Sequence, residues 1–243
     1  VDRSRPTEPT YAGASHTFSI EPELHAALVD VARSNSSTLF MVVHSILAIV
    51  LARHSGTDDV TVGTPVAGRG DAAVDDMIGM FVNTLALRTR VDVGTGYRDL
   101  LAHIREQDLG AFAHADVPFE RLVEVIDPPR SRARHPIFQV LLSFQNLGQA
   151  HFELTDLRLE TVEFDLGVAK FDLQFTLVDS LTPLGTPDGL AATIAYATDL
   201  FDRETIGSLA ERFVAVARAV AADPDVVLDE IDLLGGIERE RIT

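Results

Sequence analysis

The sequence contains no cysteine, so disulfide bonds, thiolate nucleophiles and cysteine-based zinc sites are excluded. Positively charged residues are scarce: the chain has 20 lysines and arginines but 37 aspartates and glutamates, which gives a formal net charge of −17. Nucleic acids and anionic membranes are bound through lysine and arginine, so neither is an expected partner. The longest apolar run, within residues 39–51, is interrupted by His44 and Ser45 and is too short to span a bilayer.

The composition is that of a globular protein. Of 243 residues, 46% are hydrophobic and 23% are charged, which allows a sizeable core without metals or disulfides. Residues 1–10 are polar and proline-rich rather than a signal peptide, so a cytoplasmic protein is expected. The chain begins at Val1 and not at Met, which indicates a piece of a longer protein.

Hydrophobic periodicity and helix-breaking residues predict alternating strands and helices. The predicted strands cover residues 16–20, 60–66, 81–91, 137–144, 152–164, 170–178 and 190–197. One predicted helix begins at Pro22, and the others cover 39–54, 97–113, 118–126 and 202–222. Helix 39–54 is apolar almost all round and should be buried. Strands 60–66 and 137–144 resemble strands covered on both faces. The mixture predicts an α/β fold, a layered sandwich with helices packed on a mixed β-sheet.

Four short motifs carry most of the functional information. They are VGTPVAGR (62–69), IGMFVNTLALR (78–88), HADVPFE (114–120) and SRARHPIFQV (131–140). Asn83 lies inside an apolar strand, where its amide needs hydrogen-bond partners. Two interpretations stay open for Asn83: a structural residue that bonds nearby backbone, or a residue that shapes a substrate channel. HADVPFE is interpreted as mainly structural, because no acid and nucleophile accompany His114.

In this order the motifs resemble the late core motifs of the condensation domains of nonribosomal peptide synthetases. That family has a chloramphenicol-acetyltransferase-like fold of two similar lobes. The resemblance covers the whole chain and implies a linker (1–13), the C-terminal lobe (14–225) and an exit segment toward a following adenylation domain (226–243). It implies one half of an enzyme that joins a donor acyl or peptidyl thioester to an acceptor aminoacyl thioester. Both substrates are carried on phosphopantetheine arms of carrier proteins.

The catalytic motif of that family, HHxxxDG, is absent, since no two histidines are adjacent in the sequence. The resemblance places this motif on the N-terminal lobe. We therefore expect no catalytic residue, metal or bound cofactor in this chain, and no peptide-forming activity from it alone. The expected partners are the N-terminal lobe, the donor and acceptor carrier proteins, which present the phosphopantetheine, and the adjacent adenylation domain.

Four residues are expected to support the active site. Arg69 is the candidate partner for the aspartate of HHxxxDG, and Asn83 and Asn146 are expected near the channel. Two interpretations stay open for Arg134: it belongs to a solvated basic loop, or it forms an interdomain ion pair or helps to hold the strand that follows it. Together with Arg130 and Arg132 it also forms a basic cluster that could receive an acidic carrier protein.

Three alternatives stay open. The first is a non-catalytic module of the same fold that recruits a carrier or a tailoring enzyme. The second is an epimerisation-type relative, which normally carries other sequences in place of FVNT and HADVPFE. The third is a free-standing acyltransferase that uses CoA, which would also need the missing histidine. The state of HHxxxDG upstream of Val1 would separate the recruiting module from the enzyme.

Overall fold

Strands and helices alternate along the chain, as the hydrophobic pattern predicts. The computed structural model describes residues 1–68, 77–146 and 166–233. Within these ranges the strands are β1 (Gly13–Ile20), β2 (Asp59–Val66), β3 (Asn83–Arg90), β4 (Val140–Gln145), β5 (Leu173–Leu181) and β6 (Pro187–Ala197). The helices are α1 (Pro22–Ser34), α2 (Leu39–Ser55), α3 (Tyr97–Phe112), α4 (Phe119–Ile126) and α5 (Arg203–Ala222). The strand predicted at 152–164 lies outside the described residues.

The described strands form one mixed sheet in the order β1-β6-β5-β4-β2-β3. Strands β5, β4 and β2 are parallel neighbours, and the remaining pairs are antiparallel. Helices α1, α2 and α5 pack on one another and on the sheet, and α3 packs on α2 and β3. The predicted layered α/β sandwich is confirmed.

Helix α2 is the centre of the core. Ten consecutive residues, from Met41 to Val50, are buried, as expected for a helix that is apolar all round. Thr38 caps its start by accepting a hydrogen bond from the backbone N–H of Met41 at 3.3 Å. Gly56 ends it in the left-handed conformation, with φ of 67°. No single described helix is long and apolar enough to cross a membrane; α1 and α2 reach that length only together, with a bend of 103° between them.

Strand β5 has one apolar face. Leu173, Phe175 and Leu177 are buried against the helices, whereas Gln174 and Thr176 on the opposite face are partly exposed. This alternation has the period of two that a β-strand requires. The helices therefore cover one face of the sheet at this position.

Strands β2 and β4 are covered on both faces over part of their length, as predicted, because consecutive residues are buried at 62–64 and at 141–142. A Cβ on Gly63 would lie 2.2 Å from the ring of Phe138, so only glycine leaves room for that ring. Strand β4 begins at Val140, later than the predicted residue 137, because Ile137 has φ of 69°. That left-handed conformation interrupts the extended path of the chain.

Residues 1–12, here called the N-terminal strap, contain no helix but are bonded to the lobe. Arg3 forms an ion pair with Asp202. Asp199 accepts hydrogen bonds from the N–H of Thr10 at 2.8 Å and from its hydroxyl at 2.9 Å. The sequence predicts that Asp202 caps α5; it occupies the N-cap position, but its side chain makes no capping bond. The predicted N-cap position is confirmed, whereas the side-chain bond is not made, and the carboxylate pairs with Arg3 instead.

The residues that follow α5 also remain attached to the lobe. The carbonyl of Val226 accepts a hydrogen bond from Tyr97 N–H at 2.9 Å, and Leu228 N–H donates to the carbonyl of Thr95 at 3.0 Å. Leu228 is fully buried. The predicted exit segment is therefore anchored at its beginning. The boundaries proposed for linker, lobe and exit segment stay predictions.

Candidate active-site face

The amide of Asn83 joins two of the sequence motifs. Its Nδ2 donates to the carbonyls of Ala115 at 2.9 Å and Val117 at 2.7 Å, and its Oδ1 accepts from the N–H of Phe119 at 3.1 Å. Pro118, at the N-cap of α4, has no side-chain cap to offer, so Asn83 satisfies a first-turn donor of that helix. The structure favours the structural interpretation of Asn83. Any influence on a channel would act through α4 and stays a prediction.

Exposed apolar side chains lie directly before Asn83. Ile78 is 104% exposed, Met80 is 87% exposed and Val82 is 52% exposed. The adjacent helix α4 has no buried residue, and its Val125 is 70% exposed. Several exposed large apolar side chains within a short stretch are typical of an interaction face. This surface has the character that we expect of a lobe-to-lobe contact.

The turn that leads to Arg69 requires glycine. Gly68 has φ of 63°, and a Cβ at that position would lie 1.7 Å from the carbonyl oxygen of Phe81. Arg69 itself lies outside the described residues. Its pairing with an aspartate of the other lobe stays a prediction.

Asn146 is exposed and directly follows the end of strand β4. Near it, the ring of Phe144 lies 6.4 Å from that of Phe40, which in turn lies 5.8 Å from Phe112. The chain therefore leaves β4 with an exposed amide two residues after the partly exposed ring of Phe144. The expected position of Asn146 near the active-site channel stays a prediction.

Aromatic packing fixes the segment of residues 131–139. The ring of His135 lies 4.6 Å from Phe138 and 4.9 Å from Phe171, measured between centroids. Gln139 Nε2 donates to the carbonyl of His135 at 2.7 Å. Burial lowers the pKa of His135, which keeps the ring neutral near pH 7. The segment is thereby held against the sheet, with its arginines at the exposed edge.

A cavity of about 630 Å³ lies between the strap and segment 131–139, and we call it the strap pocket. Arg134 is exposed on its wall, and neither Arg134 nor Lys170 forms an ion pair within the described ranges. Arg130 is exposed but is not part of the lining. The lining includes the cations Arg5, Arg132, Arg134 and Lys170 and the anions Glu8, Asp172 and Asp199.

Two ion pairs link the walls of the strap pocket. Both terminal nitrogens of Arg5 donate to the carboxylate of Asp172, and the bond from Nη1 to Oδ1 is 2.8 Å long. Nη1 also donates to the carbonyl of Ala133 at 3.1 Å. The hydrogen bonds to Asp172 raise the pKa of Arg5. Arg132 contacts Glu8 at 3.2 Å, but both side chains are largely exposed. The first pair is therefore the stronger link between strap and lobe.

Two histidines are buried in the core and paired there. His44 Nδ1 lies 3.1 Å from Asp108 Oδ2. His25 Nε2 lies 3.3 Å from Asp179 Oδ1, and its Nδ1 accepts from Gly189 N–H at 3.2 Å. Burial lowers the pKa of His25 and raises that of Asp179. Neither histidine lines the strap pocket, so neither is placed to act on a ligand there.

The described part of the chain also contains no cluster of three or more residues of types able to bind a metal ion. The buried histidine pairs were not predicted from the sequence. A signal for one of them exists, because His44 interrupts an otherwise apolar helix and a buried polar group needs a partner. The identity of that partner, on another helix, is set by tertiary packing.

A sequence profile of the family described as "Condensation domain" matches residues 1–243. The chain belongs to the condensation domain family. The resemblance inferred from the four motifs is thereby confirmed.

The curated relatives are nonribosomal peptide synthetases. The dimodular nonribosomal peptide synthase of Bacillus subtilis is 44% identical over 234 residues, which cover 96% of this chain and 10% of the relative. A probable non-canonical nonribosomal peptide synthetase of Salinispora arenicola is 43% identical over 242 residues, which cover 100% of this chain and 3% of the relative. The chain thus spans a tenth or less of the length of these relatives.

Solved structures confirm the condensation-domain fold. The X-domain from teicoplanin biosynthesis is 30% identical with a TM-score of 0.89, and the match covers 96% of this chain and 52% of that one. A four-domain nonribosomal peptide synthetase bound to AMP and glycine is 23% identical with a TM-score of 0.88, covering 98% of this chain and 19% of that one. The second similarity supports the chloramphenicol-acetyltransferase-like fold only.

Proposed function

We propose that this chain is the C-terminal half of a peptide-bond-forming condensation domain. In that role it forms one wall of the tunnel in which an acceptor amine attacks a donor thioester. The proposal rests on one observation: the family profile matches the whole chain, while the chain covers only 52% of the X-domain. The histidine that assists the amine would come from the N-terminal lobe. A cytoplasmic location belongs to the same proposal and rests on the sequence alone.

The exposed apolar surface at residues 78–82 is the proposed contact with the N-terminal lobe. Ile78 and Met80 there are almost completely exposed, although burial of such side chains is favourable. Arg69 follows the glycine turn that precedes this surface, and we propose that it pairs with the aspartate of HHxxxDG. Asn146, at the end of β4, is proposed to lie along the tunnel.

The strap pocket is the proposed docking point for a carrier protein's phosphopantetheine. A phosphate on a long, flexible arm needs cations at the mouth of a cavity with apolar walls. Arg134 and Lys170 are two such cations without an ion pair in the described chain, and Tyr11 and Phe171 are among the aromatic lining residues. Guanidinium groups bind phosphate with particular strength. The residues therefore fit the phosphate of the arm.

A reconstitution assay tests the proposal. The chain is mixed with a separately produced N-terminal lobe that carries HHxxxDG, and donor- and acceptor-loaded carrier proteins are added. Mass spectrometry of the carrier-bound product should detect condensation with both lobes and none with either lobe alone. Positioning of the substrates is the main catalytic demand, so both walls of the tunnel are required. Condensation by this chain alone would refute the proposal.

The second candidate function is recruitment without catalysis. The observation in its favour is the 30% identity to an X-domain, and another structure of that protein is a complex of the X-domain with OxyB. Under this alternative the lobe would bind a tailoring enzyme and form no bond. Reconstitution with an N-terminal lobe whose HHxxxDG is degraded, followed by a binding assay with the tailoring enzyme, distinguishes the two functions.

A further inference from the structure

The ion pair of Arg5 and Asp172 is the most enclosed charged contact of the strap pocket. Their side chains are 20% and 16% exposed. Arg5 reaches Asp172 from the strap, while Asp172 lies directly before β5, two residues after Lys170. The carboxylate of Asp172 therefore lines the same cavity of about 630 Å³ as Arg134 and Lys170, the two cations that form no ion pair in the described ranges.

The charges of the lining almost cancel. Four cations and three anions line the pocket, which leaves one net positive charge. Without Arg5 that net charge would be zero, and Asp172 would be an unpaired carboxylate in the pocket. An anion entering the pocket would then meet a repulsive charge, and Lys170 or Arg134 would have a competing partner.

We propose that Arg5 is a positioning residue that keeps the strap pocket receptive to phosphate. It engages the carboxylate of Asp172 and so leaves Arg134 and Lys170 available for the phosphate of the carrier's arm. This inference rests on the proposed docking of phosphopantetheine in the strap pocket. It assigns to the strap an electrostatic role in binding, in addition to its connection to the lobe.

The geometry distinguishes this role from simple attachment of the strap. Strap and lobe are also joined by the pair of Arg3 with Asp202 and by the bonds of Thr10 to Asp199. The strap therefore keeps other attachments when Arg5 is replaced. Arg5 alone supplies two contacts, the neutralisation of Asp172 and the bond to the carbonyl of Ala133, and only the first becomes unnecessary when the carboxylate is removed.

The test measures binding of free 4′-phosphopantetheine to the full chain by calorimetry at low ionic strength. Arg5→Gln should weaken binding about three- to tenfold, because it leaves the carboxylate of Asp172 unpaired in the cavity proposed to receive the phosphate. Asp172→Asn should strengthen binding by a similar factor. The double variant should return to within about twofold of the wild type, since a role in structure alone would not be rescued by loss of the carboxylate.

Two controls accompany the series. Arg121→Gln removes the same charge from an exposed arginine of α4 that lies outside the pocket and pairs with Glu124 at 2.7 Å; its binding should match the wild type. Pantetheine, which lacks the phosphate, should bind all variants equally weakly. Melting temperatures of all variants exclude unfolding as the cause of weaker binding.

The outcomes separate the two proposals. If Arg134→Gln and Lys170→Gln bind phosphopantetheine as tightly as the wild type, the pocket is not the docking point and the proposed docking falls. If those two variants weaken binding but the double variant of Arg5 and Asp172 stays as weak as Arg5→Gln, only the role of Arg5 is overturned. Recovery in the double variant supports the role of Arg5.

Discussion

Polar groups have different roles in the helical core and on the strap face, which is the surface that lines the strap pocket. In the core, His44 with Asp108 and Ser45 with Tyr97 are fully buried and paired across helices α2 and α3. The strap pocket is lined by four cations and three anions, and two of the cations, Arg134 and Lys170, form no ion pair within the part of the chain that the structure describes. Buried polar groups must be satisfied within the protein, whereas exposed ones remain available to a ligand. The core thus determines stability, and the strap face is the better candidate for function.

The sharpest test of this contrast is the removal of a core aromatic ring. Phe213 is fully buried and packs edge-on against Phe18, with centroids 5.9 Å apart. Phe213→Ala should lower the free energy of unfolding by about 3–5 kcal/mol, because the cavity cannot collapse completely. Urea denaturation measures the change. Leu184→Ala, at a residue 91% exposed, is the control and should change stability by less than about 0.5 kcal/mol.

The next-largest loss of stability is expected at the buried pair of His44 and Asp108, which links α2 and α3. Asp108→Ala leaves His44 Nδ1 without its acceptor and should destabilise the fold by about 2–3 kcal/mol. Asp116→Ala, at an exposed aspartate, is the matched control. Equal denaturation midpoints for the two variants would contradict the structural importance of the pair.

A smaller effect is expected at Asn83, which is only partly buried at the start of β3. Asn83→Ala removes three hydrogen bonds to backbone groups and should cost about 1–2 kcal/mol. Asn83→Asp keeps the acceptor for Phe119 but loses both donors, so it should be nearly as destabilising. If Asn83→Asp were as stable as the wild type, the bonds to Ala115 and Val117 would be unimportant.

Arg5→Gln should affect stability least among these substitutions, by about 1 kcal/mol, because the pair with Asp172 is only partly buried. Its effect on phosphopantetheine binding should be the larger one. Thermal denaturation measures the effect on stability, and calorimetry on the same sample measures the effect on phosphopantetheine binding. A variant that unfolds readily but binds normally would reverse the assignment of stability to the core and binding to the strap.

Acid should weaken the core through His25. Burial lowers its pKa in the folded state, so below about pH 6.5 the unfolded chain binds a proton that the folded chain does not. Stability is therefore lost as the pH falls from 7.5 to 5.5, by less than about 1.4 kcal/mol per pH unit for this residue. His25→Gln should make the dependence shallower. An unchanged slope in unfolding experiments would show that His25 does not contribute.

Much of the fold follows from local sequence patterns, because its signals lie within single elements. The apolar helix at 39–54, its threonine cap and its glycine end were all predictable, and so were the strands with regular alternation. The start of β4 was not, because Ile137 is left-handed where the chain leads into Phe138, whose ring packs over Gly63, a contact between distant parts of the chain.

The candidate site was predictable only in part, for a similar reason. The motifs identified Asn83 and Arg134, but not that the Asn83 amide would bond the backbone of HADVPFE. Nor did they indicate Arg5, which lies in a predicted linker. Its partner Asp172 is 167 residues away along the chain, so only the folded structure shows the pair. Ion pairs of this kind leave no periodic signal in the sequence.

The most direct test of the account is NMR mapping of a phosphopantetheine-loaded carrier protein on the isotope-labelled chain. The account predicts that the changes in amide chemical shift are concentrated at residues 5–11, 131–139 and 169–172, around the strap pocket. The same carrier without its arm should cause much smaller chemical-shift changes. The amides of α2 and α5 should remain unchanged. Shifts confined to another face of the lobe, with the strap pocket unaffected, would contradict it.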